Sequence, residues 1–487
     1  MYTFEEIEEK FAAAHVRVCG KDDLAGILRI AKRDTTIDLL SSEFFHLEGG
    51  DHGWFDLEMI GPDGAKFFAH NALSSGTGNR SGRDRQTLHF ASVHPNILVM
   101  DSNGLDANRH VAAVRFHIEG IENFFHYQYT EPLDCFGMSE EARATLLDMR
   151  YNPEQPKDFA APDRVFIVHE LGEVLDFKVE ERRYRIWMGG NGGFGSWHRI
   201  RYRVFPIAAI SFDEPVTIDE ALDRIWEWRR FFVQLAMQHL SFEGIGFLAN
   251  HDDRAAIGSV YLPNTDRRKR ERGYYELHPA YIPLNRWGDR ERLAGAMQTW
   301  LKRDGRRRAF RARLDRVLDN MNRRMDQMDL VELSAGIDSL NELDSKTKFP
   351  SGTVDAMVEA AGKAAEGQKV GIDPGRLRGI LSQLQRRSLA EKMKELGRRA
   401  MPDADFKDIE LVVATARKCR DDAAHRGAVS EQREAHIGPA VEALASMCVA
   451  FDLCDAGVPR RTSNDAQCFW AIRFRDAVAE LKRMQAS

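Results

Sequence analysis

The sequence is poor in cysteine, in long apolar runs and in the short signatures of common enzyme classes, and each shortage excludes something. Six cysteines in 487 residues, at 19, 135, 419, 448, 454 and 468, form no C-x-x-C pair. A disulfide framework and a zinc ribbon or finger are therefore not expected, and reduced, buried thiols are. No uninterrupted apolar stretch nears the roughly 18 residues that span a bilayer, so no membrane association is expected. The opening Met1-Tyr-Thr-Phe-Glu-Glu-Ile-Glu-Glu-Lys10 is acidic and amphipathic rather than basic and then apolar. That is not a secretory signal, and the expected address is cytoplasmic. The pattern G-x-x-x-x-G-K-[ST] is missing, which argues against a P-loop ATPase. G-x-S-x-G is missing too, so a nucleophile elbow has no support. His89, His94, His110, His117 and His126 show no metal-ligand spacing, and neither a metal nor another cofactor is expected.

The chain does have the material of a globular core, with 43% apolar and 30% charged residues. Its length suggests more than one domain. The net charge of −6 hides a strong segregation: from Asn264 to Met325 there are 18 Lys+Arg and 8 Asp+Glu, a local +10, so the remainder carries −16. A segment of this kind can track a nucleic-acid backbone through counterion release, or it can be a solvated basic helix over Arg303–Arg324.

Two textures divide the chain near residue 290. Residues 1–290 read as a β-rich domain. Trp54–Ile60, Asn96–Met100, Val111–Ile118, Val165–Val168 and Tyr202–Ile210 are apolar or β-branched runs broken by turn signals, the pattern of an antiparallel sandwich or barrel-like sheet. Gly189-Gly-Asn-Gly-Gly-Phe-Gly195 lies between two such runs with no helix after it, so it predicts a mobile hairpin loop and not a phosphate cradle. One long helix interrupts this half near 217–240, capped by Thr217 with Glu220 three residues on. Its Trp226, Trp228, Phe231 and Phe232 fit packed core better than a base-stacking platform. Residues 291–487 read as all-α, with segments 290–303, 307–324, 328–344, 352–364, 375–399, 404–424, 432–456 and 465–484 between Gly/Pro stops. The expected fold is α+β multidomain, a β-rich N-terminal domain followed by an all-α helical bundle.

The chemistry centres on Ala416-Arg-Lys-Cys-Arg-Asp-Asp-Ala-Ala-His-Arg-Gly427, where Arg420 and His425 form an R-x4-H pair at a helix end. An RNA phosphodiester can be cleaved by its own 2′-hydroxyl if a protein moves two protons and steadies the phosphate. Histidine titrates near neutral pH and suits the proton transfer. Arginine stays charged and presents a fork that matches phosphate oxygens. Asp421 or Asp422 can orient either partner. The spacing alone is also met by an exposed basic helix end that complements the helix dipole. A second R-x4-H, Arg164–His169, falls in an expected strand, where residues five apart point to opposite faces, so it is set aside.

On these residues the C-terminal half resembles the HEPN superfamily of all-helical domains, whose signature is R-x4-6-H near a helix end. The residue after the arginine is often Asn in that family and is Asp421 here. Leu333–Leu343 is similar to the long helix that precedes the motif. Ile207–Leu222 resembles the segment that closes the β-rich domain of ApeA-type anti-phage proteins, which join that domain to a C-terminal HEPN domain. The resemblance implies a metal-independent endoribonuclease of abortive infection, acting on structured RNA such as tRNA. It further implies restraint until a phage-derived trigger acts on the β-rich part, and homodimerisation that brings two motifs into one cleft. By position, Arg420 would hold the scissile phosphate and His425 would be the acid/base group. Arg417, Lys418, Asp421 and Arg426 would add RNA contacts. The alternative is a non-catalytic HEPN-type RNA-binding or scaffold protein.

Overall fold

The computed structural model describes residues 3–486 except 22–23, 46, 48–53, 62–63, 82–86, 101–109, 122–123, 125–129, 135–138, 140, 142–163, 169–172, 197–198, 249–257, 264–281, 283, 285–289, 322–324, 344–349, 351, 368–370, 372, 386, 427–430 and 461–467. It is an α+β chain with a β-rich N-terminal region and a helical C-terminal region.

Six strands close a small barrel: β1 (Ala13–Val18), β2 (Ala25–Arg29), β3 (Thr36–Ser41), β4 (Trp54–Ile60), β5 (Lys66–Ser81) and β6 (Thr87–His94). Their order is β5-β4-β1-β2-β3-β6, and β6 returns to pair with β5. The length of β5 makes this possible. Its first half pairs with β4 and with β7 (Ile97–Met100), and from Leu73 on, through an irregularity between Ser74 and Gly76, it pairs with β6. The barrel thus opens through β7 into an antiparallel sheet that continues with β15 (Gly258–Tyr261), β14 (Phe242–Leu248), β8 (His110–Ile118), β13 (Arg199–Thr217), β12 (Arg182–Ser196) and β11 (Glu173–Val179). A separate ribbon pairs β9 (Thr130–Asp134) with β10 (Arg164–Val168). A short helix, α1 (Phe4–Lys10), precedes the barrel with its own capping box at Thr3 and Glu6.

The glycine-rich run 189–195 is strand, not loop. Gly189 to Phe194 stay in register with Phe205 to Ile200, so the ladder of β12 on β13 runs on through the glycines. The paired backbone of β13 supplies the hydrogen bonds that side-chain propensity does not.

Helix α2 (Ile218–Ala236) follows β13 and is capped by the Thr217 hydroxyl, which accepts from the Glu220 amide at 3.2 Å. Trp228, Phe231 and Phe232 are fully buried. Trp228 meets Phe116 of β8 and Tyr184 of β12 edge-on, with centroids 5.6 and 5.1 Å away. These aromatics are core, as the helical spacing predicts.

The helical region comprises α3 (Arg290–Lys302), α4 (Asp304–Asn320), α5 (Gln327–Asp338), α6 (Thr353–Gly367), α7 (Pro374–Gln385), α8 (Leu389–Ala400), α9 (Phe406–Arg426), α10 (Glu431–Asp455) and α11 (Phe469–Ala486). The single helix expected over 375–399 is two, because Ser388 caps α8 in a reciprocal box with Glu391. The helix expected over 328–344 ends at Asp338, and Asn341–Leu343 forms a separate 3-10 turn. Helix α10 is the axis of the bundle. Ala440, Val441, Leu444, Met447, Cys448 and Leu453 are buried along its length. By length and mean hydropathy (1.5) the stretch Arg433–Asp455 could cross a membrane, yet 78% of its apolar window is covered by the rest of the chain. It is apolar because other helices surround it.

Candidate functional site

Helix α9 carries the R-x4-H pair. Asp405 starts the helix, accepting from the Lys407 amide at 2.9 Å. Ile409, Val412, Val413, Ala416 and Cys419 recur at helical spacing and are all buried, so one face is pinned against α10 and its neighbours. The same periodicity sends Arg417 and Lys418 to the surface and leaves Arg420 and Asp421 partly exposed. The helix ends at Arg426, two residues past the expected end at 424. His425 and Arg426 are its last two residues; their side chains, and Gly427, lie outside the described residues.

Asp421 organises the arginines. Its Oδ1 lies 3.2 Å from the Arg420 guanidinium and its Oδ2 lies 3.5 Å from Arg417 Nε. That matters geometrically, because positions five apart on a helix are about 140° apart round the axis and about 7.5 Å along it. Position 425 shares a flank with 418, 421 and 422, while position 420 lies off that flank. The Asp421 carboxylate draws the Arg420 guanidinium round towards it. Asp422 is buried and holds Arg433 of α10 at 2.5 Å. Charged groups of two helices thus lie at this end of α9: Arg417 and Arg420 with Asp421, and Asp422 with Arg433 of α10. Burial pushes the Cys419 thiol pKa up, and Asp422 reinforces this against the cations of Arg433 and Lys418. The thiol is a packing group here.

The sequence did not single out Arg433 or His436 of α10. The available signal was their position on the first turns of the helix that follows the motif, separated from it by a short connection. Half-buried His436 has an enclosed Nδ1 with no hydrogen-bond partner.

The described part of the basic tract is of two kinds, buried and exposed. Residues 264–281 lie outside the described residues. On α4, Arg307 and Arg311 are buried and share the fully buried Asp452 of α10 at 2.7 and 2.8 Å. Arg303 pairs with Asp455, Arg308 with Asp223 at 2.7 Å, and Arg313 and Arg316 with Glu332 at 2.6 and 3.3 Å. Arg307 and Arg311 are internal counter-ions that tie α4 to α10, whereas Arg303, Arg308, Arg313 and Arg316 make ion pairs at the surface with side chains 39–69% exposed.

A second charged cluster sits where α2 meets α4. Arg229 is fully buried, with Asp315 at 3.3 Å and Asp319 at 3.0 Å. His239 Nδ1 lies 2.6 Å from Asp319, and its Nε2 lies 2.9 Å from the Ser241 hydroxyl. Ser241, His239 and Asp319 thus have the connectivity of a nucleophile relay. However, the serine is buried, and Arg229 already neutralises the carboxylate. This cluster reads as a joint between the two regions.

Among the other histidines, His117 Nδ1 lies 2.7 Å from Glu243, and His94 Nε2 lies 2.8 Å from the Ser75 hydroxyl. His126 and the second R-x4-H histidine, His169, lie outside the described residues, while Arg164 begins strand β10. Among the described residues, no three His, Cys, Asp or Glu side chains converge as metal ligands would. No family model, curated protein or solved structure matches the chain.

Proposed function

We propose that the protein is a metal-independent endoribonuclease of the HEPN type, with Arg420 and His425 as its working pair. The observation that carries this reading is the end of α9. There a core-pinned helix presents Arg417 and Arg420, both paired with Asp421, and the exposed Lys418 on the approach to position 425, with Arg433 of the next helix held by Asp422. Cations held by short acidic contacts can exchange those contacts for phosphate oxygens at little reorganisation cost. Arg420 then steadies the scissile phosphate while His425 takes the 2′-hydroxyl proton, and the RNA supplies its own nucleophile. Arg426 and Lys418 extend the backbone contacts. Two protomers related by a twofold axis bring two such pairs to one cleft. Structured RNA such as tRNA is the expected substrate, and the β-rich region holds the nuclease in check in the cytoplasm until infection supplies a trigger. The role is anti-phage defence by abortive infection, as the ApeA-like segment suggests.

The test is cleavage of total cellular RNA in EDTA, alone and with infected-cell extract. His425→Ala is expected to lower the rate about 10²–10⁴-fold while RNA binding persists. The wild-type products should end in 2′,3′-cyclic phosphate. RNA binding with no His425-dependent cleavage in either condition would replace this reading with the non-catalytic RNA-binding or scaffold one.

A further inference from the structure

Strand β5 changes partners where it leaves the open sheet for the barrel. His70 is its last residue paired with β7, and Leu73 is its first paired with β6. At the same place its ladder with β4 is irregular. Phe55 pairs with Ala72 and Leu57 with Ala69, so Asp56 stands opposite both His70 and Asn71. A bulge of this kind bends a strand and re-aims its side chains. Asp56 holds the bulge together: its Oδ1 accepts from the Asn71 backbone amide at 2.9 Å and lies 2.9 Å from His70 Nδ1. Asn71 sits at φ +50°, in the left-handed region that asparagine tolerates better than other non-glycine residues.

The bulge also reaches out of the barrel. His70 Nε2 lies 3.1 Å from Asp219 Oδ2, and the Asn71 side-chain amide donates to Asp219 Oδ1 at 3.3 Å. Asp219 belongs to the first turn of α2. Burial opposes a charge on His70, but the hydrogen bonds and charges of Asp56 and Asp219 outweigh it and raise its pKa. An imidazole between two carboxylates thus clasps the barrel to α2. Two features set this clasp apart from the Asp452 cluster. Asp219 is 60% exposed, so water competes for it, whereas Asp452 is fully buried. One jaw of the clasp is a bulge that keeps a non-glycine residue at positive φ, a form of stored strain.

Helix α2 carries the connection onward. Its Arg229 is bonded to Asp315 and Asp319 of α4, its Asp223 pairs with Arg308 of α4, and the helix packs on α10. The Arg433 of α10 in turn meets Asp422 of the motif helix α9. A contiguous path of this kind couples two regions when one of its contacts has two arrangements that both regions bias.

We propose that the clasp of His70 and Asn71 on Asp219 is that contact: closed, it lets the β-rich region restrain the helical one, and the trigger acts by opening it. This rests on the ribonuclease reading above and names the restraint in it. With the clasp closed, the first turn of α2 is fixed to the barrel. Opening it frees that turn, and α2 passes the shift to α10 and so to α9.

The experiment compares full-length chains on total cellular RNA in EDTA, with and without infected-cell extract. Asp219→Ala removes both bonds to α2 and leaves Asp56, His70 and Asn71 in place. Its exposed site tolerates truncation, and thermal unfolding checks that the variant is folded. His70→Ala opens the clasp from the other side. Glu220→Ala is the control, an acid one position on that pairs with Arg224 of its own helix. Without extract, both clasp variants are expected to cleave about 5–50-fold faster than the wild type and Glu220→Ala, and adding His425→Ala to either should silence it. A contact with a structural role alone would not raise the rate when lost. If folded Asp219→Ala stays at the basal wild-type rate while extract still stimulates the wild type, the proposal is overturned and the ribonuclease reading stands. Equal activation by Glu220→Ala would overturn it as well, because loosening the helix would then suffice. A wild type that cleaves at full rate without extract would overturn it too, since nothing is restrained. If no chain shows His425-dependent cleavage in either condition, the ribonuclease reading fails and this restraint falls with it.

Discussion

Asp452 is fully buried on α10, and its two oxygens serve three donors: Arg307 at 2.7 Å, Arg311 Nε at 2.8 Å and the Trp300 indole at 2.9 Å. Burial opposes its ionisation, but the charges and hydrogen bonds of Arg311 and Arg307 outweigh burial and hold its pKa below the ordinary aspartate value. Arg311 also stacks on Trp300, 3.7 Å from a ring centroid. Removing one member of such a cluster strands the others in a low-dielectric interior. Asp452→Ala is accordingly expected to cost about 3–5 kcal/mol of unfolding free energy, read from chemical denaturation. Asp452→Asn should also destabilise, since it keeps the shape without the charge. None of this was legible in the residue count. A tally of 18 basic residues between 264 and 325 records charge and cannot see that Arg307 and Arg311 meet a carboxylate some 145 residues away.

At the scale of elements, α8 packs closely against the motif helix near its start. A Cβ built on Gly397 of α8 would lie 2.7 Å from Ile409 of α9 and 2.7 Å from Met447 of α10. The glycine is what lets three helices converge near the start of α9, at Ile409. Gly397→Ala is expected to destabilise by about 1–3 kcal/mol through overpacking, and a lowered Tm in thermal unfolding is the measurement. Gly295→Ala on α3, where an added Cβ meets nothing within 4 Å, is the control that should not. Helix positions were readable because 3.6-residue periodicity and Gly/Pro stops are local. Two of the departures have different causes. The box at Ser388 and Glu391 was a local signal passed over beside a longer apolar pattern. The strand through Gly189–Gly195 has no local signal, because a partner strand imposes it.

Across the whole molecule, the joint between α2 and α4 is the feature most exposed to pH. Burial pushes the Asp315 carboxyl up to about 6, against the pull of Arg229. Burial also opposes ionisation of Asp319, but Arg229 and the hydrogen bond from His239 prevail and lower its pKa. The two acids therefore act in opposite senses. Asp315 binds its proton more tightly folded than unfolded, so its contribution is present at pH 4 and is lost as pH rises through 6. The contribution of Asp319 is present at neutral pH and is lost as pH falls. Relative to Asp315→Asn, the wild type should lose about 1–3 kcal/mol of stability between pH 4 and pH 7, measured by urea unfolding at each pH. A parallel pair of curves would mean that Asp315 does not titrate in that range.

The sequence by itself determined the division into a β-rich and a helical region, the strands Trp54–Ile60 and His110–Ile118, the buried aromatics of α2, and the helix end that carries Arg420 and His425. Each is a matter of local periodicity, capping or turn chemistry, which neighbouring residues settle among themselves. The tertiary structure alone decided that β5 is shared between a closed barrel and an open sheet, and that the basic helix spends Arg307 and Arg311 on the buried Asp452. It also decided that Arg433 of the following helix pairs with Asp422 of the motif helix. Those outcomes depend on which distant groups meet when apolar faces are buried. Strand pairing, ion pairing and helix packing are relations between segments, and no single segment encodes them.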